Sequence, residues 1–273
     1  MTNTHHALNI QQYQDKSHNY LNSAVHAQGA EFDKIKQLIE AHKLAHVLDL
    51  GCGGGHVSYQ VAPIATSVIA YDITPTMTEV VASQAKTRGL TNISTQIGTA
   101  EKLPFADHQF DAIITRYSAH HWQNVPQALF EMHRVLADDG KVVIVDVLGN
   151  SNPVLNNFLQ TIETIRDPSH VKDYSLAEWL YFAQITGFSV ATVEMQKLAL
   201  NFDSWVARMH TPDTSIQVIR ALQKNCAASV KQYFEIDEAG NFSTDVIYLV
   251  LSKSGQSHYK NFPNSNFSRK AVF

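Results

Sequence analysis

The sequence is poor in cysteine, with only Cys52 and Cys226 among its 273 residues. Two isolated cysteines indicate neither a disulfide framework nor a cysteine-based metal site. Long apolar runs are also missing, so no transmembrane helix is expected. The polar N-terminus carries His5 and His6 and lacks the apolar segment of a secretory signal. These absences together predict a cytoplasmic protein.

An excess of basic residues is absent as well, because 21 Lys and Arg stand against 25 Asp and Glu, a net charge of -4. No nucleic-acid partner is therefore expected. The 14 histidines show no paired spacing typical of metal ligands, so we predict no metal site. Charged residues make up 17% and hydrophobic residues 44% of the chain, which is typical of a folded domain with a sizeable core.

Short apolar runs alternate with helical segments through the first 150 residues. Five strands are predicted at residues 46–50, 67–71, 93–97, 110–115 and 142–147. These strands are apolar almost throughout, as burial on both faces requires. Strands alternating with helices imply βαβ units. The pattern therefore predicts an α/β protein with a Rossmann-like, doubly wound, mostly parallel sheet.

After Gly149 the pattern changes. Two further strands, at 188–200 and 246–251, bring the predicted sheet to seven, with an antiparallel edge strand. The segments 151–186 and 202–234 are mostly helical and are predicted to cap the substrate site. Residues 20–252 then form one domain, between a flexible N-terminus at 1–19 and a flexible tail at 253–273. A turn is expected at 138–140.

A glycine-rich turn follows the first strand, with Asp49, Gly51 and Gly53 at its start. Such a strand–turn–helix unit binds nucleotides through its backbone. A dinucleotide fingerprint requires a glycine where His56 stands, and no phosphate-binding Gly-Lys-Ser/Thr follows. The acid at Asp49 would repel a pyrophosphate and suits a ligand with an ammonium and a sulfonium. Asp72 ends the second strand, 21 positions after Gly51, where an acid accepts hydrogen bonds from ribose hydroxyls.

The segment from Val47 to Gly55 resembles motif I of the class I S-adenosylmethionine-dependent methyltransferases. The chain as a whole resembles the UbiE-like branch, named for ubiquinone and menaquinone biosynthesis, with specific motifs over residues 18–150. This resemblance implies S-adenosylmethionine as the cofactor, bound by Asp49, Gly51, Gly53 and Asp72. It also implies that Ile73 and Met77 line the cofactor site.

The family's adenine segment is similar to residues 98–105, where Ala100 would offer a backbone N–H and Glu101 follows. Thr99 departs from the family, which usually has an aspartate there that binds the adenine amino group. The resemblance further implies that Arg116 borders the methionine part of the cofactor. The segment 20–27 is similar to the family's lid, with Tyr20 or His26 facing the cofactor carboxylate.

Methyl transfer from a sulfonium is an in-line displacement, and a base is needed only if the acceptor must lose a proton. His120 and His121, which follow the fourth strand beside Trp122, are the candidate catalytic residues. His170 and His210 are further candidates. The acceptor is expected to be a small, partly apolar molecule. Aromatic and thioether residues of the cap segments are predicted to line its site: Phe158, Trp179, Tyr181, Phe182, Trp205 and Met209.

Several alternatives stay open at this point. A non-catalytic protein that binds S-adenosylmethionine would carry the same motifs. So would a methyltransferase that acts on a malonyl group bound to a carrier protein. An NAD(P)-dependent oxidoreductase is disfavoured by Asp49 and His56. A homodimer is compatible with the sequence.

Overall fold

A computed structural model describes residues 4–16 and 29–254. Its centre is a seven-stranded sheet in the order β3-β2-β1-β4-β5-β7-β6. The strands are β1 (His46–Leu50), β2 (Ser67–Asp72), β3 (Ile93–Ile97), β4 (Phe110–Arg116), β5 (Leu136–Val147), β6 (Phe188–Leu200) and β7 (Phe242–Lys253). The first five pair in parallel, whereas β7 is antiparallel to both β5 and β6. The order reverses between β1 and β4, and ligands bind at such switch points.

Helices connect the strands in the described residues. They are α1 (His5–Tyr13), α2 (Glu31–His42), α3 (His56–Val61), α4 (Pro75–Thr87), α5 (Val125–Val135), α6 (Pro153–Arg166), α7 (Leu176–Ile185), α8 (Phe202–Arg208), α9 (Asp213–Asn225) and α10 (Ala228–Tyr233), with a short 3-10 turn at Ala119–His121. None of these helices is long and apolar enough to cross a membrane.

Both faces of the sheet are buried, because successive side chains of a strand point to opposite sides. In β1, Val47 packs with Ile35 and Ile39 of α2 on one face. On the other face, Leu48 and Leu50 share a cluster with residues of α5. The Rossmann-like α/β class with seven strands is thus confirmed. The antiparallel pairing lies at the β5–β7–β6 end, where β6 is the outermost strand.

The helices after β5 build a third cluster of buried side chains. Phe158 of α6, Trp205 of α8, Ile219 of α9 and Phe234, which follows α10, are members of it. This cluster fixes α6 and α8 to one another. It thereby sets the position of the polar side chains that these helices direct into the cavity described below.

Two local predictions differ from the structure. Residues 5–13 form α1, where a flexible N-terminus is expected. Thr4 caps this helix by accepting a hydrogen bond from the Ala7 N–H at 3.2 Å, and Tyr13 is buried. The expected turn at 138–140 lies inside β5, where the register with β4 jumps and Asp138 and Asp139 are exposed. Polar composition indicates exposure in both cases, but exposed residues also occur in helices and bulges.

Candidate active site

The turn after β1 presents its backbone to a cavity. Gly51 has φ of +74° and Gly53 φ of +48°, values that side chains rarely allow. A Cβ atom on Gly51 would lie 1.9 Å from the Ser118 hydroxyl, so the close approach of these two segments requires glycine. A Cβ on Gly53 would meet no atom within 4 Å. The space beside Gly53 is therefore open to a ligand that approaches the backbone.

Asp72, at the end of β2, faces the same cavity. Its Oδ2 accepts a hydrogen bond from the Gly53 N–H at 2.9 Å, and its Oδ1 accepts one from the Thr74 N–H at 2.8 Å. An ionised carboxylate has about four acceptor positions, so both oxygens can accept further bonds. Burial raises the pKa of Asp72, and donors from a bound ligand would favour its ionised form. This arrangement fits ribose hydroxyls.

Asp49 is almost fully buried, and it also holds α3 in place. Its Oδ2 accepts hydrogen bonds from the backbone N–H and the hydroxyl of Ser58, at 2.9 and 2.6 Å. Burial raises the pKa of Asp49 to about 7, although the Ser58 bonds oppose the shift. The carboxyl group thus ties the first turn of α3 to the end of β1, beside the open glycine turn.

One cavity of about 1450 Å³, counting its part open to solvent, contains these groups. All predicted cofactor-binding residues in the described chain line it, as do His120 and His121: Asp49, Gly51, Gly53, Asp72, Ile73, Met77, Thr99, Ala100, Glu101 and Arg116. Tyr20 and His26 lie outside the described residues. The structure brings the predicted residues together, while their individual binding roles stay predictions.

Two of these side chains are engaged in contacts within the protein. Glu101 accepts hydrogen bonds from the backbone N–H groups of Gln123 and Asn124. Arg116 donates to Glu31 from Nε at 2.9 Å and from Nη2 at 2.7 Å. Glu31 therefore balances the charge of Arg116 at the edge of the cavity.

His120 forms a buried ion pair with Asp146 of β5. Its Nδ1 lies 2.5 Å from Asp146 Oδ1. Burial disfavours the charged imidazole, but the Asp146 carboxylate outweighs it and raises the pKa of His120 to about 9. His120 is therefore an imidazolium at neutral pH and is not available as a base.

His121 is in the opposite state. Burial and the positive charge of His120 lower its pKa to about 4. Its Nδ1 lies 3.1 Å from the Ser169 carbonyl oxygen, which only accepts hydrogen bonds, so Nδ1 carries the proton. Its Nε2 lies 2.8 Å from the Tyr13 hydroxyl, which also lies 2.8 Å from Asp167 Oδ2. Tyr13 thus joins a neutral histidine to a buried carboxylate.

The structure corrects several predictions for the acceptor side. Of the six predicted cap residues, Trp205 alone lines the cavity. Phe158 and Trp179 are core residues, Tyr181 is 57% exposed, and Met209 packs with Tyr13 and Met77. His170 lies beside His120, with ring centroids 5.8 Å apart. His210 is exposed and is not among the residues that line the cavity.

Sequence reasoning missed residues that come from outside the regular pattern. Glu163 and Arg166 of α6, Asp173 and Tyr13 all line the cavity, and no motif indicates them. Asp146 had a usable signal, since it is an acid within the apolar run of β5, close to the carboxyl end of the strand. No group of three or more acidic, histidine or cysteine side chains suited to a metal ion occurs in the described part of the chain.

A sheet of this order, with an open glycine turn after β1 and an acid ending β2, defines a class I methyltransferase fold. The family described as "Methyltransferase domain" matches residues 48–144. YafE of Escherichia coli is 41% identical over 75% of this chain and 99% of its own length. The methyltransferase YcgJ of Bacillus subtilis is 33% identical over 94% of each chain. The crystal structure of YcgJ has a TM-score of 0.77, covering 82% of this chain and 99% of that chain.

The chain belongs to this methyltransferase family and is a class I enzyme that uses S-adenosylmethionine. It also matches UbiE of Citrifermentans bemidjiense, a ubiquinone and menaquinone biosynthesis C-methyltransferase, at 34% identity over 41% of this chain and 49% of UbiE. The residues at the glycine turn fit the cofactor, because the space beside Gly53 is open and both oxygens of Asp72 can accept further bonds.

Proposed function

We propose that this methyltransferase acts on a small molecule. The supporting observation is the enclosure of the part of the cavity beside His120 and His121, here named its inner half, where the side chains of these histidines are only 17% and 11% exposed. Glu163, Asp173 and Trp205 line the same cavity. A large polymeric acceptor needs an open surface at the reacting atoms, whereas a small molecule fits inside.

S-adenosylmethionine supplies an electrophilic methyl group when it is bound. The protein then has to hold the acceptor in line with that group and exclude water. Such positioning can remove roughly 7–11 kcal/mol of the barrier. Helix α1 supports this role, because it reaches from His6, which lies 3.8 Å from Glu101, to Tyr13 beside His121. It covers the cavity from the cofactor side to the inner half.

We propose that His121, rather than His120, receives a proton from a protic acceptor. His120 is already protonated through Asp146. His121 is neutral, and its Nε2 lies 2.8 Å from the oxygen of the Tyr13 hydroxyl, which donates its own proton to Asp167. A proton that Nε2 takes from the acceptor would then be donated to the Tyr13 oxygen, and the resulting cation is balanced by Asp167, 3.9 Å away. A pKa of about 4 makes His121 a weak base compared with one matched to neutral pH, so it takes the proton only after methylation has made that proton strongly acidic.

The test is turnover of S-adenosylmethionine against a panel of small phenols, quinols, amines and carboxylates, followed as formation of the demethylated cofactor. The same assay is run with protein and nucleic-acid acceptors. Small acceptors are expected to be methylated, and His121→Gln should lower kcat for protic ones by at least tenfold. Turnover confined to macromolecules, or binding of the cofactor without turnover of any acceptor, would refute the proposed function.

A further inference from the structure

Asp173 is a buried carboxylate that faces the inner half of the cavity without a hydrogen-bond partner. The residue is 1% exposed and lines the cavity. Neither Oδ1 nor Oδ2 has a hydrogen-bond donor in the described part of the chain. Buried carboxylates are normally hydrogen-bonded or paired. Two unpartnered oxygens beside a ligand cavity therefore point to a donor that the ligand brings.

The backbone fixes Asp173 in this place. Its N–H donates to Gln160 Oε1 at 3.1 Å, and its carbonyl accepts from Gln160 Nε2 at 2.8 Å. The preceding residues donate to the carbonyl oxygen of His120. A Cβ atom on Gly149 would lie 2.2 Å from the Asp173 carbonyl oxygen, so the segment packs tightly against the end of β5. The main chain is thus satisfied, while the side chain is left for another partner.

The charged groups around Asp173 already have partners. His120 is paired with Asp146. Arg166 Nη1 lies 3.3 Å from Glu163 Oε2, and Arg166 Nε donates to the Trp205 carbonyl. His170 Nε2 lies 3.9 Å from Asp173 Oδ2 but donates to Gln160 Oε1 at 3.0 Å. Asp173 is the acid of this group whose side chain no described donor hydrogen-bonds.

We infer that Asp173 binds a protonated amino group of the methyl acceptor. This inference rests on the proposed function, since it assigns a group to the same small molecule. Glu163 and Asp146 lie near enough to add negative potential at Asp173, which favours a cation over a neutral hydroxyl. A protonated amine has no free electron pair, so it cannot be the methylated atom while it is held there. Asp173 therefore anchors the acceptor by a second group.

The experiment uses three probes of one shape: tyramine, 4-ethylphenol and 3-(4-hydroxyphenyl)propionate. Each is titrated by calorimetry into the full chain loaded with S-adenosylhomocysteine. Tyramine is expected to bind at least tenfold more tightly than 4-ethylphenol, and the carboxylate is expected to bind most weakly. Asp173→Asn should abolish the preference for tyramine. Glu238→Gln, which removes an exposed negative charge, should keep it.

The inference is overturned if tyramine does not bind the wild type at millimolar concentration, or if it binds no better than 4-ethylphenol. It is also overturned if Asp173→Asn keeps the preference. Asp173→Asn removes no hydrogen bond of the carboxylate in the described structure, so it should leave the melting temperature unchanged or higher. A clear loss of stability would instead mean that Asp173 serves the fold, and the inference would fail.

Proton release gives a second measurement. Burial and the negative charge of Glu163 raise the pKa of Asp173, against the opposing charges of His120 and Arg166. A bound ammonium should displace the carboxyl proton, so calorimetry in two buffers of different ionisation enthalpy should detect release that Asp173→Asn lacks. Equal proton release from both proteins would contradict the inference.

The two proposals can fail separately. Turnover only with macromolecules, together with tyramine binding through Asp173, would refute the small-molecule function and leave the amine site. Turnover of small acceptors without any preference for an amine would support the small-molecule function and refute the amine site at Asp173.

Discussion

At the residue scale, the paired states of His120 and His121 organise the site. They are neighbours in sequence, with ring centroids 4.2 Å apart, yet one is charged and the other neutral. Asp146 accounts for the difference, because it lies against His120 and the resulting positive charge disfavours a second one on His121. Opposed pKa values in adjacent groups are typical of functional sites.

The His120–Asp146 pair makes stability depend on pH. The folded pKa of His120, about 9, exceeds its unfolded value of 6.5. The stabilisation of the folded state by this pair is therefore fully present below pH 6.5 and is lost as pH rises through 9. A shift of this size corresponds to about 3 kcal/mol. Asp146→Asn should lower the free energy of unfolding, measured in urea, at both pH 6 and pH 10. The loss at pH 6 should exceed the loss at pH 10 by roughly that amount.

The matched control is Asp138→Asn, because that acid is 83% exposed. It should change stability by less than about 0.5 kcal/mol at either pH. Asp146 also accepts backbone bonds from Ala119 and Val147, so part of its loss will not depend on pH. A pH-independent loss for Asp146→Asn would mean that His120 is neutral in the folded protein.

Asp72 is the residue by which the cofactor site is tested. Asp72→Ala removes the charged acceptor that we predict for two ribose hydroxyl groups, each bond being worth about 1.5–3 kcal/mol. It also releases the N–H groups of Gly53 and Thr74. The dissociation constant of S-adenosylhomocysteine should rise at least 100-fold by calorimetry, with Asp72→Asn intermediate. An unchanged constant would remove Asp72 from the site.

Residues at strand ends are the part of the site that a sequence predicts well. Asp49, Asp72 and Arg116 end β1, β2 and β4 or lie within one residue of the end, and parallel strands bring their carboxyl ends to one edge of the sheet. Asp173 and Tyr13 instead reach the cavity from a loop and from an N-terminal helix. The hydrophobic periodicity of a segment does not indicate where that segment packs in the fold, so the place of these residues in the cavity could not be predicted.

At the element scale, α1 is the helix that the sequence pattern does not predict. It has nine residues, and one of the two that it buries is the polar Asn9, so no apolar stripe marks the helix in the sequence. A helix this short is marginal alone and depends on tertiary contacts. Here those contacts are Tyr13 against Met77 and Met209, together with the bonds of its hydroxyl to His121 and Asp167.

Tyr13→Phe separates the two kinds of contact, because it keeps the ring and removes the hydroxyl. Asp167 and His121 each lose a buried partner, which should cost about 1–3 kcal/mol of unfolding free energy. Hydrogen exchange in α1 should accelerate more than exchange in β1 or β4. Tyr181→Phe is the control, since that side chain is 57% exposed. Equal effects of the two changes would show that the Tyr13 hydroxyl does not hold α1.

At the scale of the whole molecule, the alternation of strands and helices predicts the sheet, because βαβ units allow few topologies. It does not predict how the helices after β5 fold back. Their buried faces pack on one another, with Phe158 and Trp205 in a shared cluster. That is why aromatic residues predicted for the acceptor site lie in a core instead. The polar faces of α6 and the loop after it form the inner half of the cavity.

The cavity is built from segments far apart in the sequence, from α1 through the carboxyl ends of β1, β2 and β4 to α8. A ligand that fills it therefore stabilises the folded molecule as a whole. At 100 times its dissociation constant, a ligand adds about 2.7 kcal/mol to the free energy of unfolding, which corresponds to roughly 5–10 °C in melting temperature for a domain of this size.

S-adenosylmethionine and S-adenosylhomocysteine should both give this rise in a thermal-shift experiment. NAD should give none, because its pyrophosphate would face Asp49 and Asp72 across the glycine turn. Stabilisation by NAD alone would contradict the cofactor assignment. If Asp72→Ala loses the increase in melting temperature, the increase comes from a ligand bound in this cavity.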